Sequence, residues 1–134
     1  MNKEQVNLLG EYIKAGKSAV LIESVPESVI EKGAIVINSD CSASDLMGHY
    51  DNLEYVVPEW YNKLMESAKK HTPVLIIKDI NKVSEKEQRK FIELLKYKKV
   101  YVNKIPENCM IFMTYSNLKE NPIEEEVYSF MVHI

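Results

Sequence analysis

Arginine is almost absent from this chain. Lys and Arg together number 17 in 134 residues, and Arg89 is the one arginine among them. Few candidates therefore exist for the guanidinium groups that neutralise transition-state charge in phosphoryl transfer. Cysteine is scarce as well. Cys41 and Cys109 stand far apart and fit no metal or redox spacing, which suits reduced thiols in a cytoplasmic protein. No apolar run approaches the roughly 20 residues of a membrane span. The N-terminus is polar and acidic, unlike a secretory signal. Internal repeats and low-complexity segments are lacking. The net charge of −3 argues against broad nucleic-acid binding. These absences leave a single domain over residues 1–134, long enough to bury roughly two-thirds of its unfolded surface.

What is present is organised around Val74-Leu75-Ile76-Ile77. This β-branched run follows Pro73 and turns charged at Lys78-Asp79. Such a run reads as a strand buried on both faces, as in a parallel sheet. Its end lies at the carboxyl edge, where open α/β sheets place ligands. Ser84 and Glu87 follow at capping-box spacing and open a helix over Glu85–Tyr97, with Phe91, Ile92, Leu94 and Leu95 on its buried face.

The rest of the chain alternates in the same way. Asn2–Ala15 has the periodicity of an amphipathic helix. Gly16-Lys17-Ser18 resembles the end of a phosphate loop, but Glu11 stands where the first glycine belongs, and the strand follows instead of preceding. Ala19–Glu23 reads as the first strand. Ser24 and Glu27 have capping-box spacing for a short helix stopped by Gly33. That segment has no run of glycines to bring N–H groups to a phosphate. Ala34–Asn38 is a second strand, followed by a Ser/Asp-rich loop and a short helix ended by Gly48. Leu53–Val57 is extended or a hairpin arm. Pro58 opens a helix to about Lys70 with Trp60, Leu64, Met65 and Ala68 as its core stripe. Lys98–Lys104 sets Val100 and Val102 against Tyr101 and Asn103 in strand alternation. Met110–Tyr115 is a buried strand, Glu124–Tyr128 a helical turn, and Ser129–Ile134 a last strand. Leu75, Ile77, Ile111, Met113, Leu21 and Val36 are the expected core, while Glu85, Lys86 and Lys99 are expected at the surface.

Three segments carry a family resemblance. Ile80-Asn81-Lys82 follows the central strand, Asp45-Leu46-Met47-Gly48 follows the second, and Pro106-Glu107-Asn108 precedes the fourth. Together they resemble the MoxR-like, inserted-hairpin group of AAA+ ATPases. The likeness spans nearly the whole chain and is most specific between Pro73 and Asn117. It implies a three-layer, P-loop-NTPase-like α/β fold. That fold has a mainly parallel five-stranded sheet of order 5-1-4-3-2, with helices on both faces.

The resemblance also implies what has been lost. Lys78 stands where the family has its magnesium-holding Asp, and Asp79 where it has the water-activating Glu. Asn117 falls in the sensor 1 region. These three make a vestigial nucleotide site. The phosphate loop and the helical lid are missing, and Arg89 lies on the wrong helix for an arginine finger. The expectation is an inactive pseudo-ATPase without cofactor or metal. It would work as a binding or scaffolding module on a protein partner, for instance an active AAA+ relative. Lys78 is expected to be held by Asp79, Asp40 or Glu23, since an isolated buried ammonium is costly.

The alternatives are a weak nucleotide binder and a nucleic-acid contact module. The latter would use Lys96, Lys98, Lys99, Tyr101 and Lys104 on the inserted hairpin. The same lysines also read as guards of an exposed strand edge. An enzyme of unrelated chemistry would have to draw on Asp45, His49 or Asp79, which form no recognisable constellation in the sequence.

Overall fold

A computed structural model describes residues 3–4, 19–116 and 121–134. Apart from the helical Lys3 and Glu4, the helix expected over Asn2–Ala15 lies outside the described residues, as do Gly16-Lys17-Ser18 and Asn117. The first half contains β1 (Ala19–Ile22), α1 (Glu27–Glu31), β2 (Ile35–Asn38), α2 (Ala43–Met47), β3 (His49–Asp51), β4 (Glu54–Val56) and α3 (Glu59–Ala68). The second half contains β5 (Val74–Lys78), α4 (Glu85–Gln88), α5 (Ile92–Tyr97), β6 (Lys99–Val100), β7 (Asn103–Lys104), β8 (Met110–Thr114), α6 (Glu125–Ser129) and β9 (Met131–His133). Among the described residues no helix is long and apolar enough to cross a membrane.

Five parallel strands form one sheet in the order β2-β5-β8-β1-β9. Val74 of β5 aligns with Met110 of β8, and Ile77 with Met113. Side chains alternate between two faces. Leu21, Ile37, Leu75, Ile77, Ile111 and Met113 enter the larger core with Leu64, Phe91, Leu94 and Leu95. Val20, Ile22, Ile76 and Phe112 form a smaller cluster on the other face, against which Val25 and Val29 pack. β3 with β4, and β6 with β7, make two separate antiparallel hairpins.

Five local expectations need correction. Val36 is 44% exposed. It sits on the edge strand, on the face that the smaller cluster occupies among the described residues, while Ile37 takes the core position. Ser24 does not cap α1. Pro26 is the N-cap and no side chain bonds there, because the helix starts too late for Ser24 to reach its free N–H groups. Met65 lies outside the core stripe, at the margin of the Trp60–Leu64 face.

The helix over Glu85–Tyr97 is broken by a 3₁₀ turn at Arg89–Phe91. Gln88, Phe91 and Leu94 are all fully buried at intervals of three, and 3₁₀ winding lines up positions i and i+3. Finally, Lys98–Lys104 is no single strand. The chain reverses at Tyr101-Val102, so Val100 and Asn103 are buried while Val102 is 65% exposed.

Candidate functional site

At the carboxyl end of β5 the chain leaves the sheet through Asp79, which adopts the left-handed conformation (φ 57°). Aspartate tolerates this better than most residues. Both backbone groups of Asp79 are engaged. Its N–H donates to Thr114 Oγ1 at 2.9 Å. Its carbonyl accepts from Ser39 Oγ at 2.6 Å and from the Lys82 N–H at 3.0 Å. The Asp79 carboxylate makes no hydrogen bond or ion pair among the described residues.

Lys78 is exposed and likewise forms no ion pair among the described residues. The expected pairing of Lys78 with Asp79, Asp40 or Glu23 is therefore corrected. The turn at Asp79 and the 3₁₀ segment Ile80–Lys82 present Lys82 instead, whose Nζ lies 3.0 Å from Asp40. Lys82 holds the Asp40 carboxyl below its ordinary value, by hydrogen bond first and then by charge. Of the vestigial trio, Lys78 and Asp79 are thus adjacent at the sheet edge.

Two buried amides close the neighbouring loop, and sequence reasoning missed their role. Asn81 Nδ2 donates to the Ser116 carbonyl at 2.7 Å, and its Oδ1 accepts the Ser116 N–H at 3.0 Å. Gln88 Nε2 donates to the carbonyls of Val83 and Pro122, and its Oε1 accepts the Glu124 N–H at 2.7 Å. The signal for Gln88 was present: it lies three residues before Phe91 and seven before Leu95, on the apolar side. Arg89, the lone arginine, reaches Glu124 at 3.0 Å and Glu126 at 3.4 Å. It ties α4 to the start of α6. Glu124 also caps α6 through the Val127 N–H at 2.9 Å. Backbone bonds first, and Arg89 after them, hold its carboxyl below the ordinary range.

The two hairpins meet on one side of the molecule. Tyr50 and Tyr101 share a hydroxyl–hydroxyl hydrogen bond of 2.9 Å. The Tyr55 ring lies 5.4 Å from Tyr50 and 5.7 Å from Tyr101, and Asn103 Nδ2 donates to its hydroxyl at 2.7 Å. Both turns hold non-glycine residues at positive φ: Asn52 at 50°, Leu53 at 68° and Tyr101 at 57°. Leu53 is 97% exposed at its tip. The structure therefore brings Tyr101 into a tyrosine cluster that includes Tyr50 and Tyr55.

The lysines of the second hairpin divide. Lys98 Nζ donates to the Glu107 carbonyl at 2.5 Å, whereas Lys96, Lys99 and Lys104 are exposed. Lys99 and Lys104 stand directly opposite one another.

A cleft of about 850 Å³ runs beside β2 toward the first hairpin, with Cys41, Asp45, His49 and Trp60 in its lining. It gathers Asp45 and His49 but not Asp79. Burial pushes the Cys41 thiol above its ordinary value, with Lys90 opposing the shift and Asp45 and Asp40 adding to it. A nucleophilic thiol requires the opposite shift. Among the described residues no group of three His, Cys, Asp or Glu is placed to hold a metal ion. No protein-family model matches the chain, and no curated protein matches it.

Proposed function

We propose that this chain is a non-catalytic AAA+-like module that docks on a protein partner. The observation that carries the reading is the contrast between its two polar regions. The sheet edge that would hold nucleotide carries the exposed Lys78 ammonium at the metal position implied by the family resemblance. There Asp79 has its backbone fixed by Ser39, Thr114 and Lys82. The hairpin side instead presents Tyr50, Leu53, Tyr101 and Val102 to solvent, two of them in strained turns. Exposed aromatic and apolar side chains grouped on one surface mark interaction sites. The order of the strands in the sheet supports the P-loop-NTPase-like reading.

Two measurements test this. Calorimetric titration with magnesium and ATP should give no micromolar binding heat. Affinity capture from the source organism should retain one protein partner and lose it with Leu53→Asp. Micromolar ATP binding sensitive to Asp79→Ala would overturn the reading.

The facing pair Lys99–Lys104 favours a second reading, contact with a nucleic acid. Like charges directly opposite each other destabilise a hairpin, and a phosphate would relieve them. Salt-dependent binding to single-stranded DNA, weakened by Lys99→Ala, is its signature. Lys98 and Tyr101, however, are already engaged with Glu107 and Tyr50.

A further inference from the structure

We infer that the β2 edge and the cleft beside it receive an extended segment of the partner protein as a sixth strand. This rests on the protein-docking reading and gives it a second, separate contact surface.

Among the described residues β2 ends the sheet, and its own sequence carries no guard. Ile35, Val36, Ile37 and Asn38 include no charge and no proline, the usual protections of an exposed edge. Its backbone is set for pairing. Ser39 donates its N–H to the Lys78 carbonyl at 3.1 Å. By the alternation of a parallel ladder, residues 35 and 37 also face β5. Val36 therefore turns its N–H and C=O outward, where they have no partner among the described residues. The Asn38 carbonyl accepts from Cys41 at 3.1 Å, which ends the free ladder at that point.

The cleft has room for an extended segment of a few residues, which rises about 3.3 Å per residue. The cleft holds about 850 Å³ and is lined by all of residues 34–38. A second copy of this chain fits less well. Pairing two β2 edges about a twofold axis places both α3 helices on the same face. Each copy's wall, which includes Trp60 and Lys63 on α3, would then compete for one volume.

Charge indicates the kind of segment. Glu59 is neutralised by Lys63 at 3.0 Å. Asp45 makes no ion pair among the described residues. The lining is thus acidic on balance. The fitting occupant is an extended peptide with alternating apolar side chains and a lysine or arginine to meet Asp45.

The test is selection from a display library of short random peptides, followed by titration of a synthesised winner. Trp60 is the single tryptophan and lines the cleft, so its fluorescence reports occupancy. The expected winners alternate apolar residues and carry a basic one, shift Trp60 emission, and slow hydrogen exchange at the Val36 amide. Val36→Pro should weaken them about tenfold by removing one ladder bond, that of the Val36 N–H. Proline is tolerated at an edge position whose N–H faces outward. Val36→Lys provides a second blocking variant should Val36→Pro melt lower than wild type.

Absence of any enriched peptide overturns the inference, as does binding indifferent to both variants. Sedimentation showing a dimer that Val36→Pro abolishes would assign the edge to a second copy instead. Peptide selection needs no host partner. Capture that Leu53→Asp abolishes and Val36→Pro leaves intact would therefore sink strand addition alone and leave the docking reading standing.

Discussion

The carboxyl edge of the sheet and the hairpin side are built in opposite ways. At the edge, uncharged polar side chains turn inward and spend their hydrogen bonds on backbone: Ser39 and Thr114 on Asp79, Asn81 on Ser116, Gln88 on Glu124. At the hairpins, apolar and aromatic side chains turn outward, and the backbone there is strained. The first arrangement stabilises and fixes a loop. The second lowers stability locally and makes sense where a partner covers the surface. The difference teaches that residue type alone does not tell whether a side chain closes a loop or faces solvent in this chain.

Variants can break or sharpen that contrast. The largest effect should come from the core beneath both regions. Leu75→Ala removes a fully buried side chain and should cost roughly 2–5 kcal/mol in urea unfolding; a loss under about 0.5 kcal/mol would show that β5 is not central. Next is Asn81→Ala, which strips Ser116 of its amide partner and should cost roughly 1–3 kcal/mol. If Asn81→Ala is as mild as a surface change, the edge is not closed in the way described. At the hairpin the sign should reverse. Leu53→Asn replaces a solvated leucine at positive φ with a residue suited to it and should leave stability unchanged or raise it by up to about 1 kcal/mol. A clear loss in thermal melting would mean Leu53 packs in the isolated protein.

The smallest effect concerns acid. The carboxyls of Glu124 and Asp40 titrate below their ordinary values of 4.5 and 3.8 in the folded chain. Their contribution is therefore complete above those values and is lost as pH falls through the lower folded ones. Glu124→Gln should flatten the fall of melting temperature between about pH 5 and pH 3. Identical slopes for variant and wild type would remove Glu124 from the account.

Much of the architecture was legible because buried parallel strands are written as continuous apolar runs. Val74–Ile77 and Met110–Thr114 declare themselves. Val36 did not, since an edge strand has the same letters as a central one and only the neighbours decide which side is covered. The hairpin at 99–104 was read with the wrong parity because its reversal at Tyr101-Val102 lacks the glycine or asparagine that marks such turns. Lys78 and Asp79 were placed correctly at the strand end. The partner of Asp40 was not, because the left-handed turn at Asp79 is what carries Lys82 to it. Tyr50 and Tyr55 were passed over since nothing in one sequence shows that two distant hairpins touch.

The wiring of the sheet also shapes how the chain is born. Val20 in β1 pairs with Phe112 and Val132, the nearer of which is made roughly ninety residues later. At ordinary translation rates of about 5–20 residues per second, β1 waits roughly 5–20 s for its first neighbour. Its four residues are all buried in the finished sheet, so throughout that interval a sticky, unpaired segment stands outside the ribosome. Among the described residues the helices and the two hairpins close from nearby residues, while neither hairpin belongs to the central sheet. β1 therefore waits longer for its first neighbour than β2 or β5 does, and it is the stretch a chaperone would be expected to hold until then.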